Sequence, residues 1–115
     1  MIYLDENRPQ DAIKACWKAY SEQVSDYEKE YHSAVKTWKP VAVCNDSEVI
    51  GALLAKDGVI HIGIIPEWRG KWASKRVIRE MLKYGTKTTL MQDESPAFIE
   101  RIGFRKKEGW YEFCR

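Results

Sequence analysis

Apolar positions in this chain change period along its length, and each change marks an element. Met1 to Leu4 is a short apolar run that predicts a strand. Asn7 stands where an N-cap belongs, and Pro9 suits a first helical position, since a proline there gives up no hydrogen bond. From that point Ala12, Ile13, Cys16, Trp17 and Tyr20, then Val24, Tyr27, Tyr31, Ala34, Val35 and Trp38, recur at steps of three and four. This is a helical stripe facing a core. Ser21, Ser25 and Asp26 are candidate caps, so the stripe reads as two helices or as one long kinked helix.

After Pro40 the pattern turns β-like. Val41 to Cys44, Val49 to Ala55 and Val59 to Ile65 are three β-rich runs, separated by the turns Asn45-Asp46-Ser47-Glu48 and Asp57-Gly58. Together they predict an antiparallel meander. The third run is almost continuously apolar, as expected of a central strand covered on both faces. A helix follows over about Ala73 to Tyr84, with Val77, Ile78, Met81 and Leu82 inward and Gly85 as its stop. Thr86 to Gln92 predicts a strand. Ser95-Pro96 opens a helix with Phe98, Ile99 and Ile102 on its apolar face, and Gly103 ends it. Phe104 to Cys114 reads as a last strand or as a short hairpin bent at Glu108-Gly109. The order places residues 1–115 in one domain of mixed α/β class.

At 115 residues, 44% hydrophobic and 31% charged, the chain has the composition of a globular protein rather than a disordered tail. No apolar run approaches the roughly 18 residues of a membrane span, and the first residues do not resemble a signal peptide, so a cytoplasmic protein without a membrane partner is expected. Cys16, Cys44 and Cys114 lack CxxC spacing, which speaks for reduced thiols rather than a disulfide framework, and no metal site is expected. The net charge of +2 hides an asymmetry. Residues 1–57 hold 7 Lys and Arg against 10 Asp and Glu, net −3, whereas residues 58–115 hold 12 against 7, net +5. The second half favours anions.

The strongest chemical signal lies where the third β-run meets the following helix. A loop with Arg69-Gly70 at such a junction leaves unpaired N–H groups at the positive end of the helix, a cradle for phosphate, with Lys71, Lys75 and Arg76 around its mouth. An ordinary strand-to-helix connection with solvated charges would look the same by spacing alone.

Arg69-Gly70-Lys71-Trp72-Ala73-Ser74 resembles the R/Q-x-x-G-x-G/A loop of the GNAT N-acetyltransferase superfamily, and Gln92 to Phe104, ending in Ile102-Gly103-Phe104, resembles that family's N-x-x-A-x-x-x-Y-x-x-x-G-F helix. The resemblance spans about half the chain. It implies a GNAT-like fold with N-terminal helices, an antiparallel meander and then strand-helix-strand-helix-strand, with acetyl-CoA in the V between the fourth and fifth strands. It also implies backbone hydrogen bonds from Ile65 to the pantetheine arm, shaping of the loop by Arg69, phosphate bound by the amides of Gly70, Lys71, Trp72, Ala73 and Ser74, and outer phosphates met by Lys75 and Arg76. The RGKWA segment is similar to the loop of some bacteriophage-type GNAT-like sequences, which would make a host cytoplasm or a virion the setting.

The pattern is broken at two places. Trp72 replaces the glycine that lets the main chain approach the pyrophosphate, so its indole would either fill the phosphate site or turn outward over the cofactor. Ile99 replaces the tyrosine that often protonates the departing thiolate, and Gln92 replaces the usual asparagine. Other groups offer proton chemistry. His61, on the central strand, is a general-base candidate or a core histidine bonded to a neighbour. His32, with Glu28 and Tyr31 nearby, is an acceptor-site candidate or a surface residue. Tyr111 and Glu112 could stand in as acid and base, although a final strand alternates in this way by itself. Lys75, Arg79 and Lys83 share a helical face that is either solvated or open to nucleic acid or an acidic partner.

The leading expectation is therefore an N-acyltransferase that moves an acetyl group from acetyl-CoA to a primary amine of a protein or small molecule by direct attack. The alternative is a catalytically inactive GNAT-like structural or partner-binding protein of phage origin. A homodimer that completes the sheet suits either. Nucleic-acid binding ranks last, for lack of exposed aromatic residues among the cations.

Overall fold

Alternation along the strands becomes a division between two faces of one mixed sheet. In the computed structural model, which describes residues 1–20, 37–68, 70–88 and 97–114, the strands are β1 (Ile2–Asp5), β2 (Lys39–Asn45), β3 (Glu48–Lys56), β4 (Val59–Ile64), β5 (Lys87–Thr88), β6 (Phe104–Lys106) and β7 (Tyr111–Phe113). They form a seven-stranded sheet in the order β1-β2-β3-β4-β5-β7-β6. The helices are α1 (Pro9–Tyr20), α2 (Lys75–Met81) and α3 (Ala97–Arg101). Every neighbouring pair is antiparallel except β4 and β5, which are parallel and meet at Val59 and Lys87.

One face packs under α1. Ala12 and Cys16 of α1 are buried with Ala42 and Cys44 of β2 and Ala52 and Leu54 of β3, and Trp38 covers their edge. Small side chains let the helix lie close to the sheet. The opposite face holds the larger core of Val41, Val43, Leu53, Ile60, Ile64, Trp72, Val77, Met81 and Phe104. Cys16 and Cys44 are buried and Cys114 is half-buried, none of them in a disulfide; burial pushes the Cys44 thiol up. Among the described residues no helix is long and apolar enough to cross a membrane, and no three His, Cys, Asp or Glu side chains are gathered as a metal would require.

A β-bulge adjusts the alternation at one point. Val43 pairs with Gly51 and Cys44 with Val49, which leaves Ile50 as an extra residue in β3. Ile50 consequently enters the larger core while Val49 turns toward α1. Its carbonyl accepts the N–H of Ile65 at 2.9 Å, beyond the end of β4. Bulges are common beside functional sites because they redirect a strand locally.

Three expectations are corrected. The first α1 hydrogen bond runs from the Ala12 N–H to the Arg8 carbonyl, so Arg8 rather than Asn7 is the N-cap; the Asn7 N–H is held by Asp5 Oδ1 at 2.8 Å. The helix expected over residues 73–84 is shorter, because Ser74 caps it, with Oγ accepting the Val77 N–H at 3.2 Å, and Leu82 closes it. Gly85 is therefore not the helix stop. A Cβ there would lie 2.5 Å from the Gly58 carbonyl oxygen and 2.9 Å from Ile60 Cγ2, so its smallness serves the packing of this turn against the β3–β4 turn. The last segment is the hairpin β6–β7, with β7 inserted between β5 and β6. The second N-terminal helix expected within residues 21–36, with its caps and His32, and the strand expected beyond Thr88 lie outside the described residues.

At the foot of the sheet, Tyr84 Oη donates to Glu6 Oε1 at 2.6 Å, and Lys39 Nζ approaches the same oxygen at 2.7 Å. Burial and the Glu6 carboxylate push the Tyr84 phenol up to about 12, while Lys39 and then Tyr84 pull the Glu6 carboxyl down. Replacing Gly85 by Ala tests the backbone contact, since the nearest obstacle is a carbonyl rather than a flexible side chain. The substitution is expected to lower stability by about 1–3 kcal/mol in urea unfolding, the usual cost of overpacking; an unchanged midpoint would contradict the close approach.

Candidate functional site

The loop from Pro66 to Ser74 leaves the sheet at the C-terminal end of β4 and returns the chain to α2. Its first turn is a short 3-10 segment, Pro66–Trp68, closed by the Trp68 N–H donating to the Ile65 carbonyl at 3.0 Å. A β-turn follows, in which the Lys71 N–H donates to the Trp68 carbonyl at 3.1 Å. Gly70, third in that turn, has φ +80°, the left-handed conformation such a turn demands and glycine adopts without strain. No heavy atom outside its chain neighbours lies within 4 Å of a Cβ built on Gly70, so this main chain faces open space. Arg69 lies outside the described residues.

The expected cofactor residues divide on inspection. Gly70, Lys71, Ser74 and Lys75 are exposed around the loop and Ala73 is half-buried. Trp72 is only 3% exposed, and its indole belongs to the main core with Val77, Met81 and Phe104. Arg76 reaches away as well, donating from its guanidinium to the Ile2 carbonyl of β1, which ties the first turn of α2 to the sheet edge.

Ile65 also departs from expectation. Its N–H is committed to Ile50 and its carbonyl accepts from Trp68, so the amide that the resemblance assigned to the pantetheine arm points toward β3. By strand alternation the main chain of Ile60, Ile62 and Ile64 faces the other way, toward β5. The Gly58 carbonyl, which shares that parity, accepts the Lys87 N–H at 3.2 Å.

His61 and Tyr111, the two candidates for proton transfer, are not brought together. The even residues of β4 pack into the larger core, which puts His61 on the α1 face, where its ring lies 5.0 Å from that of Trp38, tilted by 59°. Burial pushes the imidazole below its ordinary value, keeping it neutral near pH 7. Tyr111 packs against the larger core on the opposite face. Alternation in β7 therefore prevents an acid–base pair of these two. Glu112, directly across from Lys87 and from Arg105 in the register, has cations as cross-strand neighbours. Ile99 packs on the core and offers no proton. Lys75, Arg79 and Lys83 are exposed on and just beyond α2.

A cleft of about 260 Å³, not foreshadowed by any motif, opens on the α1 face beside Ile65. The N-cap Arg8 and Asp11, Lys14 and Lys18 of α1 line one wall, and Glu48 and Val49 of β3 the other. Arg8 is fixed there by Asp11 Oδ2 at 3.0 Å and by the Ser47 carbonyl at 2.8 Å. Helical spacing could place these charges on one stripe but could not say which strand they would face.

Solved structures share this architecture. The PaiA N-acetyltransferase of Thermoplasma acidophilum, in complex with coenzyme A, matches with a TM-score of 0.62 at 14% identity, over 96% of this chain and 96% of that one. YjaB of Escherichia coli in its apo form matches with a TM-score of 0.59 at 15% identity, over 91% and 83%. A GNAT-family protein of Desulfovibrio desulfuricans matches with a TM-score of 0.53 at 12% identity, over 93% and 87%. No family model and no curated protein sequence matches the chain. With a glycine-turn loop and α2 connecting the parallel strands β4 and β5, the chain has the fold of the GNAT N-acetyltransferases.

Proposed function

We propose that the protein is an acetyl-CoA-dependent N-acetyltransferase acting on a primary amine. The observation that carries this reading is the exposed main chain of Gly70, at φ +80°, with Lys71 and Lys75 beside it, at the point where the chain leaves β4. The uncrowded main chain at Gly70 and the ammonium groups of Lys71 and Lys75 together suit the diphosphate of a CoA thioester. The edge of β4 that faces β5 is the line the pantetheine arm would follow.

In this reading the acceptor reaches the thioester from the α1 face. The amine lone pair attacks the carbonyl carbon, the C–S bond breaks, and an amide and free CoA result. The proton lost by the amine passes to His61, which burial keeps neutral and able to accept it. The departing thiolate takes its proton from water, since Ile99 has none to give. Positioning supplies much of the rate in such a direct transfer.

A second reading, a GNAT-fold binding protein without catalysis, draws on the committed amide of Ile65 and on the separation of His61 from Tyr111. Binding of CoA with no acetylation of any amine in a broad panel would select it.

Acetyl-CoA is expected to raise the melting temperature, because a ligand at a hundred times its Kd adds about 2.7 kcal/mol. Reversing Lys71 and Lys75 to Glu should weaken binding by roughly tenfold or more in calorimetry, the worth of a charge-assisted hydrogen bond. No thermal shift at millimolar acetyl-CoA would overturn the reading. For His61, Gln should lower kcat by roughly 10²–10⁴-fold while leaving cofactor affinity intact. The same residue makes a signed prediction for stability. Its folded pKa lies below the unfolded value, so its contribution is complete above the unfolded pKa of about 6.5 and is lost as pH falls through it. Urea unfolding between pH 7.5 and 5 should therefore show a smaller loss in His61→Gln than in the wild type, and equal losses would contradict the burial assigned to this ring.

A further inference from the structure

Beyond β4 the sheet continues through β5, β7 and β6, while α1 packs chiefly over β2, β3 and β4. In the added strands Tyr111 and Phe113 turn into the larger core. Alternation then puts Trp110 and Glu112 on the other face, and Lys87, directly across from Glu112, shares it. The register is confirmed by contact, since Lys87 Nζ lies 5.7 Å from the centre of the Trp110 ring. Lys107 borders the indole, its N–H donating to the Trp110 carbonyl at 2.7 Å. Arg105 stands at the sheet edge, where the Glu100 carbonyl at 2.8 Å and the Phe104 carbonyl at 3.0 Å hold its guanidinium. Lys106 completes the edge strand. Lys87, Arg105, Lys106, Lys107 and Trp110 are all exposed, and Trp110, at 38%, is with Met1 one of two large hydrophobic side chains left in solvent among the described residues.

From this juxtaposition we propose that the β5–β7–β6 end of the sheet is a binding surface for single-stranded nucleic acid, with Trp110 as a stacking platform and Lys87, Arg105 and Lys107 as phosphate contacts; Lys106, across from Tyr111, belongs to the other face. An exposed aromatic ring on a sheet, bordered by cations, serves a strand whose bases are unpaired, because each base offers a flat face to the ring and a phosphate to the charges. The chemistry favours this partner over an acidic peptide for two reasons. A carboxylate-rich chain gains nothing from an exposed indole. Glu112, in the middle of the patch, can accept hydrogen bonds from the exocyclic amino groups of bases, donors that a carboxylate-rich chain lacks. The acidic first half of the chain, net −3, confines the attraction to this end. The surface does not involve Gly70, Lys71, Lys75 or His61, so it stands or falls separately from acetyl transfer.

The test is fluorescence anisotropy of a labelled 12-nucleotide DNA titrated with the full chain, together with quenching of tryptophan emission. Binding is expected with a Kd between about 1 and 100 µM at low salt. Three phosphate contacts should weaken it roughly 20-fold between 50 and 200 mM salt. Trp110→Ala should weaken it roughly 5- to 150-fold, the range of one lost stacked base. The double reversal of Lys87 and Lys107 to Glu should weaken binding and reduce its salt dependence, whereas Arg79→Glu on α2 should leave binding unchanged; circular dichroism melts establish that each variant folds. Absence of binding at 100 µM protein and 50 mM salt overturns the proposal. So does loss on Arg79→Glu with none on Lys87 and Lys107 reversal, and so does equal binding of poly-glutamate, which would make the patch a site for acidic proteins.

Discussion

The burial of Trp72 is the constraint on which the rest of this structure depends. An indole removes on the order of 150–250 Å² from water, worth at most about 4–6 kcal/mol by area. That single contact fixes the loop between β4 and α2 to the core and leaves the preceding turn to be shaped by Gly70. The loop therefore has a buried anchor and an exposed main chain within three residues of each other. A glycine at position 72 would have allowed closer approach by a ligand but would have left the core without its largest side chain at this point.

Two further bonds hold the junction. The bulge at Ile50 turns its carbonyl to the Ile65 N–H, extending pairing one residue past the end of β4, and Arg76 fastens the first turn of α2 to β1. Both groups had been natural candidates for touching a cofactor, and both hold the scaffold instead. What remains for a ligand is the outer rim: Gly70, Lys71, Ser74 and Lys75. That rim offers main chain and ammonium groups over a packed core, a combination that suits phosphates better than it suits proton transfer.

The fold was legible because its signals are periodic. The meander, the central strand, the helix around Val77 and Met81 and the final hairpin all follow from alternation, helical spacing and turn residues, and the glycine-bearing loop was found where it lies. Individual roles were less legible because they depend on which way a group faces after packing. Trp72 in a loop gives no sign that the core will take it. Gly85 looks like a helix stop, yet the Gly58 carbonyl decides its identity from across the sheet. His61 and Tyr111 are each reasonable alone, and only the order of the strands and their parity separates them onto opposite faces. Trp110 belongs by pattern to an alternating strand, and its exposure at 38% is a tertiary fact.

The central claim is that a buried Trp72 supports a loop whose exposed main chain around Gly70 binds CoA. Amide chemical shifts of the isotope-labelled protein, recorded as CoA is added, test it most directly. The account predicts that the amide signals of Gly70 to Ser74 move while the indole N–H signal of Trp72 stays in place and remains protected from exchange. Stationary loop amides, or an indole signal that shifts and loses its protection, would contradict it.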